Sequence, residues 1–245
     1  MNLNFLENFN QNLVFRLNLK LFALFFASIL FLSGFVIAED IAYIVKDTSN
    51  PNEKIISILN SEGYSYDLID DSLIPTTNFD DYRMILVWDE IIKNSSLVPV
   101  GEVNALVGNM YYLEEWQIAN SVSSRTSTGY EYGKVKDLTS DIVEGIDVTQ
   151  PIKLYTDKGE LLYLPPANKR ARGIKSIVQR YDGSLTSSDI VIGTIDKNGE
   201  LLDHTLSDAR IVVFTLVKSN VWTPETRLMF ENSLLWAMSG SDRDE

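Results

Sequence analysis

The 245 residues include no cysteine and a single histidine, His204. The first absence excludes disulfides, thiolate metal sites and cysteine nucleophiles, so packing alone must hold the chain together. The second excludes an imidazole metal cluster, which needs several such rings at one point. No serine sits in a G-x-S-x-G turn, so the nucleophile elbow of a serine hydrolase is not indicated either. Basic residues are scarce. Setting aside Glu7, Arg16 and Lys20 from 34 acidic and 21 basic residues leaves 33 against 19 in 39–245, a charge of −14. Nucleic acid is not an expected partner, since phosphate neutralisation needs lysine and arginine in excess. The one basic cluster, Lys169, Arg170, Arg172 and Lys175, reads as a solvated face.

What the chain has in plenty lies first at its start. Arg16 and Lys20 precede an unbroken apolar run, LFALFFASILFLSGFVIA (21–38), which ends in the small-residue exit Val36-Ile37-Ala38. Basic flank, apolar core and small exit are the marks of a signal peptide. The run is also close to the shortest span that crosses a bilayer, so an uncleaved N-terminal anchor is the competing reading. Residues 1–38 are therefore expected to be a signal peptide or membrane anchor, and the remainder extracytoplasmic, secreted or tethered. Contact with a membrane is expected only through that segment.

Beyond it the sequence alternates. IAYIVK (41–46) is a buried strand by composition. Asn50 can cap a helix with Pro51 at its first position, Glu53 in its first turn and Gly63 as its stop. YSYDLI (64–69), RMILVW (83–88) and Asn104–Val107 are further strands, and Tyr111–Ile118 reads as a short helix. After the polar loop 121–133 come two hairpin-like passages, PIKLYT-DKG-ELLYL and IVIGTI-DKNG-ELLDHT. RIVVFTLV (210–217) is a last buried strand. Thr223 caps a final helix with Leu228, Leu235 and Met238 on its core face, widened by Phe230, Leu234 and Trp236. The expected fold is α/β: a doubly wound, mostly parallel, flavodoxin-like sheet with helices on both faces and a β-hairpin-rich insertion over 121–205. One domain over 39–240 is followed by a polar tail, 241–245.

In such sheets ligands bind beyond the carboxyl ends of the strands. That rule selects Asp47, Asp89, Glu90, Asn109, Tyr111, Glu114, Asn220 and Trp222 as candidate ligand-binding residues. Carboxylates and amides beside aromatic faces suit sugar rings, whose C–H faces stack while their hydroxyls need hydrogen bonds. His204, in ELLDHTLSD, reads as an exposed turn histidine. Asn94-Ser95-Ser96 is the one sequon with no proline at its centre.

The stretches IAYIVK, YRMILVWDE, NALVGNMYYLEEW and ARIVVFTLV…WTPETRLMFENSLLWA resemble the class I glutamine amidotransferase-like superfamily, and within it the trehalose-utilisation (ThuA-like) branch. The resemblance covers most of 41–240. It implies a cysteine at the turn after the fourth strand, where Asn109-Met110 stand, and a His-Pro-Glu segment after a late strand, where Val217-Lys218 follow instead. A thiolate nucleophile needs a sulfur and a base; the sequence provides neither at these positions. The expectation is an exported, non-catalytic module with no catalytic residue, cofactor or metal. Its partner would be a small polar ligand, a glycan or a cell-surface protein. The alternatives are a carboxylate- or metal-dependent enzyme on sugar-like substrates, built on the paired acids, and a purely structural cell-envelope domain.

Overall fold

The computed structural model describes residues 40–126, 131–157, 160–183 and 189–239. The expected signal or anchor segment and the tail 241–245 lie outside the described residues. In chain order the elements are β1 (Ile41–Val45), α1 (Glu53–Glu62), β2 (Tyr66–Asp70), β3 (Met84–Val87) and β4 (Ala105–Val107). Then follow β5 (Ser123–Thr126), β6 (Tyr132–Val135), β7 (Ile152–Lys153), β8 (Glu160–Tyr163), β9 (Ile174–Tyr181), β10 (Ile190–Ile195), β11 (Ile211–Phe214) and α2 (Pro224–Met238).

Nine strands form one sheet in the order β2-β1-β3-β4-β11-β10-β9-β6-β7. The first five are parallel, and β1, β3, β4 and β11 among them are the buried, largely aliphatic runs a doubly covered sheet requires, while β2 at the edge is half-exposed; β10, β9, β6 and β7 continue it antiparallel. Most of the β-rich segment therefore extends the main sheet, and β5 with β8 makes a separate two-stranded ribbon.

Alternation along the strands separates two cores. Tyr43, Leu86, Leu106 and Phe214 pack with Ile55, Leu59, Met229, Phe230 and Leu234, so α1 and α2 cover the same face. Ile44, Val87, Val107 and Val213 point the other way, where Phe79, Leu113, Trp116 and Ile118 from turns and loops cover them. The mixed α/β sheet stands, but the expected helices on both faces do not: among the described residues both α-helices share one face.

Four local expectations are corrected. Asn52, not Asn50, caps α1, accepting from the N–H groups of Lys54 and Ile55 at 3.1 and 3.2 Å. Asn50 closes a turn onto the Asp47 carbonyl, which leaves Pro51 just ahead of the cap. Residues 111–118 are turns rather than a helix. Tyr112 Oη donates to the Ile92 carbonyl and Trp116 Nε1 to that of Ser95, so tertiary bonds hold the segment in a non-helical path, ending at Gln117 with φ 57°. Neither hairpin forms: β7 pairs with β6 and β8 with β5, while β10 pairs with β9 and β11. In α2 the buried stripe is Thr226, Met229, Phe230, Ser233, Leu234, Ala237 and Met238. Leu235 is 56% exposed, one position off the apolar face assigned from spacing.

Five Asp-x-Ser/Thr turns punctuate the described loops, at Asp47, Asp70, Asp137, Asp147 and Asp203. In each, one Oδ1 accepts both the N–H and the hydroxyl of the residue two ahead, at 2.6–3.0 Å. The hydroxyl and then the amide hold these carboxyls below their ordinary range. A depressed folded value gives stability that is complete above the unfolded value of about 3.9 and is lost as pH falls through the folded one. Thermal melts should therefore show a loss that sets in below about pH 4, and replacing Asp137 and Asp147 together by asparagine should reduce that acid-dependent part.

Candidate functional site

The carboxyl ends of β1, β3, β4 and β11 meet at one edge of the sheet, and a lattice of hydrogen bonds ties their loops together. Glu90 Oε2 accepts from the Lys46 N–H at 2.7 Å, joining the loop after β3 to that after β1. Asn109 joins β3 to β4: its Nδ2 donates to the carbonyls of Trp88 and Glu90 at 2.9 and 2.6 Å, and its Oδ1 accepts from the Tyr111 N–H at 3.0 Å. Asn109 is fully buried. Its backbone is not among those with positive φ, so no left-handed elbow forms there. The residue at the turn after the fourth strand is a brace whose side chain is occupied by protein groups.

Below this lattice lies an aromatic block. Trp88 stands edge-on to Trp222 and Phe230, with ring centroids at 5.7 and 5.3 Å, and Phe214 closes the group. Trp222 is 7% exposed and donates from Nε1 to the Leu216 carbonyl. It is part of the core, not of a ligand surface. Two hydroxyls, of Tyr43 and Tyr155, are buried here without a hydrogen-bond partner. The backbone of Asn52 lies near the first and that of Lys218 near the second. Burial pushes both well above the ordinary tyrosine range, Glu90 adding to it at Tyr43, and Asp89 and Glu131 at Tyr155.

Above the brace a cleft of about 310 Å³ opens. Asp89, Tyr111 and Lys218 give it polar groups, and Met110, Val122, Leu162 and Val217 its apolar walls. Val122 and Leu162 were not legible as site residues, because they arrive through the long-range pairing of β5 with β8. That ribbon is docked by Thr215, whose Oγ1 donates to the Leu162 carbonyl at 2.7 Å. Asp89 and Tyr111 thus come together, and Asn220 lines the neighbouring hollow. Asp47 is engaged in its own turn and Glu90 in its bridge to Lys46, while Glu114 lines neither hollow.

His204 lies at the opposite edge. Ile195, the last residue of β10, faces Ile211, the first of β11, so the turn beyond it is at the amino end of the parallel strands. There His204 Nδ1 is 2.5 Å from Glu200 Oε1, which also pairs with Arg172 at 3.3 Å. It has no geometric route to the cleft. Of the basic cluster, Arg172 pairs with Glu200, Lys175 with Asp196, and Arg170 donates to the Pro165 carbonyl. Among the described residues no group of three or more His, Cys, Asp and Glu side chains is arranged to hold a metal ion. No described helix is long and apolar enough to cross a membrane.

No family model matches the chain, and no curated protein sequence matches it. Solved structures do. A cytoplasmic protein from Salmonella typhimurium aligns with TM-score 0.51 at 9% identity, covering 80% of this chain and 98% of its own. A candidate GMP synthase subunit from Thermoplasma acidophilum aligns with TM-score 0.50 at 12% identity, covering 82% and 95%. A glutamine amidotransferase from Thermotoga maritima gives 0.45 at 10% identity, covering 82% and 98%. Likeness at such identities is a likeness of fold alone, shared with the Salmonella protein and the candidate GMP synthase subunit.

Proposed function

We propose that this glutamine amidotransferase-like fold serves as an exported, non-catalytic binding module whose cleft takes a sugar-like ligand at the cell surface. The observation that carries the reading is the exchange at the turn after β4. Where the fold's enzymes would present a thiolate, a fully buried asparagine ties two loops together, and an open cleft lies directly beside it. The cleft offers one exposed aromatic ring, Tyr111, and a carboxylate and an ammonium, Asp89 and Lys218. A ring face for C–H stacking and charged groups for hydroxyls are what a sugar requires. The ThuA-like character of the last strand and helix agrees with a sugar ligand, and the apolar run 21–38 behind Arg16 and Lys20 with export.

The test is thermal stability of the full chain against a panel of sugars. A specific sugar at 100-fold its dissociation constant adds about 2.7 kcal/mol, a rise of about 5–11 °C for a domain of this size. Asp89→Asn and Tyr111→Ala should each abolish the rise while leaving the unliganded melt within about 2 °C, since both positions are exposed. A sugar-induced shift that survives both substitutions would place the ligand elsewhere.

A further inference from the structure

The cleft does not end at Lys218. Val217 and Lys218 wall it on one side and, with Ser219 and Asn220, also wall a second hollow of about 660 Å³ over the first turns of α1. Each hollow alone falls within the range of about 300–1,000 Å³ usual for small-molecule sites, and the two lie side by side across Val217 and Lys218, the residues common to both linings.

The lining is balanced in charge along its length. Asp89 is matched by Lys218 in the first hollow, and Glu53 by Lys54 in the second. The amino end of α1 adds little attraction for an anion, because Asn52 Oδ1 already accepts from the Lys54 and Ile55 amides. An overall charge of −14 over 39–245 opposes a polyanion further. What the second hollow does offer is the exposed hydroxyl of Ser57 and the exposed amide of Asn220, which donate and accept as vicinal hydroxyls do. The two hollows lie across the ends of the strands rather than along an open strand edge, so a peptide has no backbone ladder there to extend. The buried Tyr43 and Tyr155 hydroxyls lie near the backbone of Asn52 and of Lys218, the first a wall of the second hollow and the other of both.

Building on the sugar-binding reading, we infer that the two hollows together take a linear, neutral oligosaccharide of three or more units laid across Lys218. Tyr111 and Asp89 hold one end, and Ser57 and Asn220 form a distal subsite. Length, not the identity of one ring, sets the affinity.

Titration of the full chain with malto-, cello- and chito-oligosaccharides of one to six units tests this. In one series affinity should rise at least tenfold between one unit and three or more, then level off. The double variant Ser57→Ala/Asn220→Ala should bring the longer members to the affinity of the single unit, without changing that of the single unit. Tyr111→Ala should weaken every length. Equal affinity for one unit and for six would overturn the oligosaccharide inference and leave the sugar-binding reading standing. Binding by no sugar, or by an extended peptide instead, would overturn both.

Discussion

Replacing Asn109 by aspartate is expected to lower stability by about 3–5 kcal/mol at pH 7, enough to threaten folding outright. The amide donates to two carbonyls, those of Trp88 and Glu90, inside a site from which water is excluded. A carboxylate keeps the bond from the Tyr111 N–H but turns its second oxygen on both carbonyls. Burial and this repulsion raise the introduced carboxyl's pKa in the folded state. An acid with a raised folded value binds more protons folded than unfolded, so stability falls as pH rises from about 3.9 through the folded value. Relative to the parent, Asn109→Asp should therefore recover stability as pH is lowered from 7 to 5. Asn109→Ala, which loses all three bonds but carries no charge, should be destabilised by about 3 kcal/mol at both pH values. Urea titration at the two pH values separates them. An Asn109→Asp variant as stable as the parent at pH 7 would mean that the brace is not what holds the two loops.

Gly108→Ala should be nearly as damaging, by about 3 kcal/mol, at the upper end for overpacking. A Cβ at this position would stand 2.2, 2.3 and 2.8 Å from ring atoms of Trp88. The ring has no room to retreat, since Trp222, Phe230 and Phe214 bound it at centroid distances of 5.3–6.2 Å. The backbone of Gly108 does not have a positive φ, so the requirement for glycine is one of close approach, not of conformation. Trp88→Leu in the same chain should recover part of the loss, and the double-mutant cycle measures that coupling. Additive losses would show that the clash is relieved elsewhere.

The two variants probe how the turn after β4 is packed. Here glycine lets Trp88 close the space beneath the turn, and asparagine fills the position above with three bonds to the backbone. The edge of the sheet is stiffened, and the cleft opens beside it.

The sequence carried the parallel strands and the final helix plainly, because their signals are local. IAYIV, MILV and IVVF are runs that only a doubly covered strand uses, and Thr223-Pro224 is a cap that needs no tertiary help. It misdirected where partners are distant. The turns at 111–118 look helical until Trp116 and Tyr112 find carbonyls some twenty residues upstream. Runs that alternate like hairpins take earlier strands as partners instead of each other, as β8 does with β5 and β7 with β6. At the site, the rule of strand ends led to Asp89, Tyr111 and Asn220, all on loops at that edge. The same rule selected Trp222 and Asn109, and it could not tell that one belongs to the aromatic block and the other to the brace. Burial and hydrogen bonding decide that, and neither is written in a single stretch of sequence.

Binding without turnover is the property that decides between a module and an enzyme. Titration calorimetry of the full chain with a maltotriose, cellotriose and chitotriose panel, followed by mass spectrometry of the recovered sugar, measures both at once. Saturable binding of at least one, lost in Asp89→Asn, with the sugar recovered unchanged, is the predicted result. A shortened or modified sugar would contradict the non-catalytic reading, and no binding by any member would contradict the site.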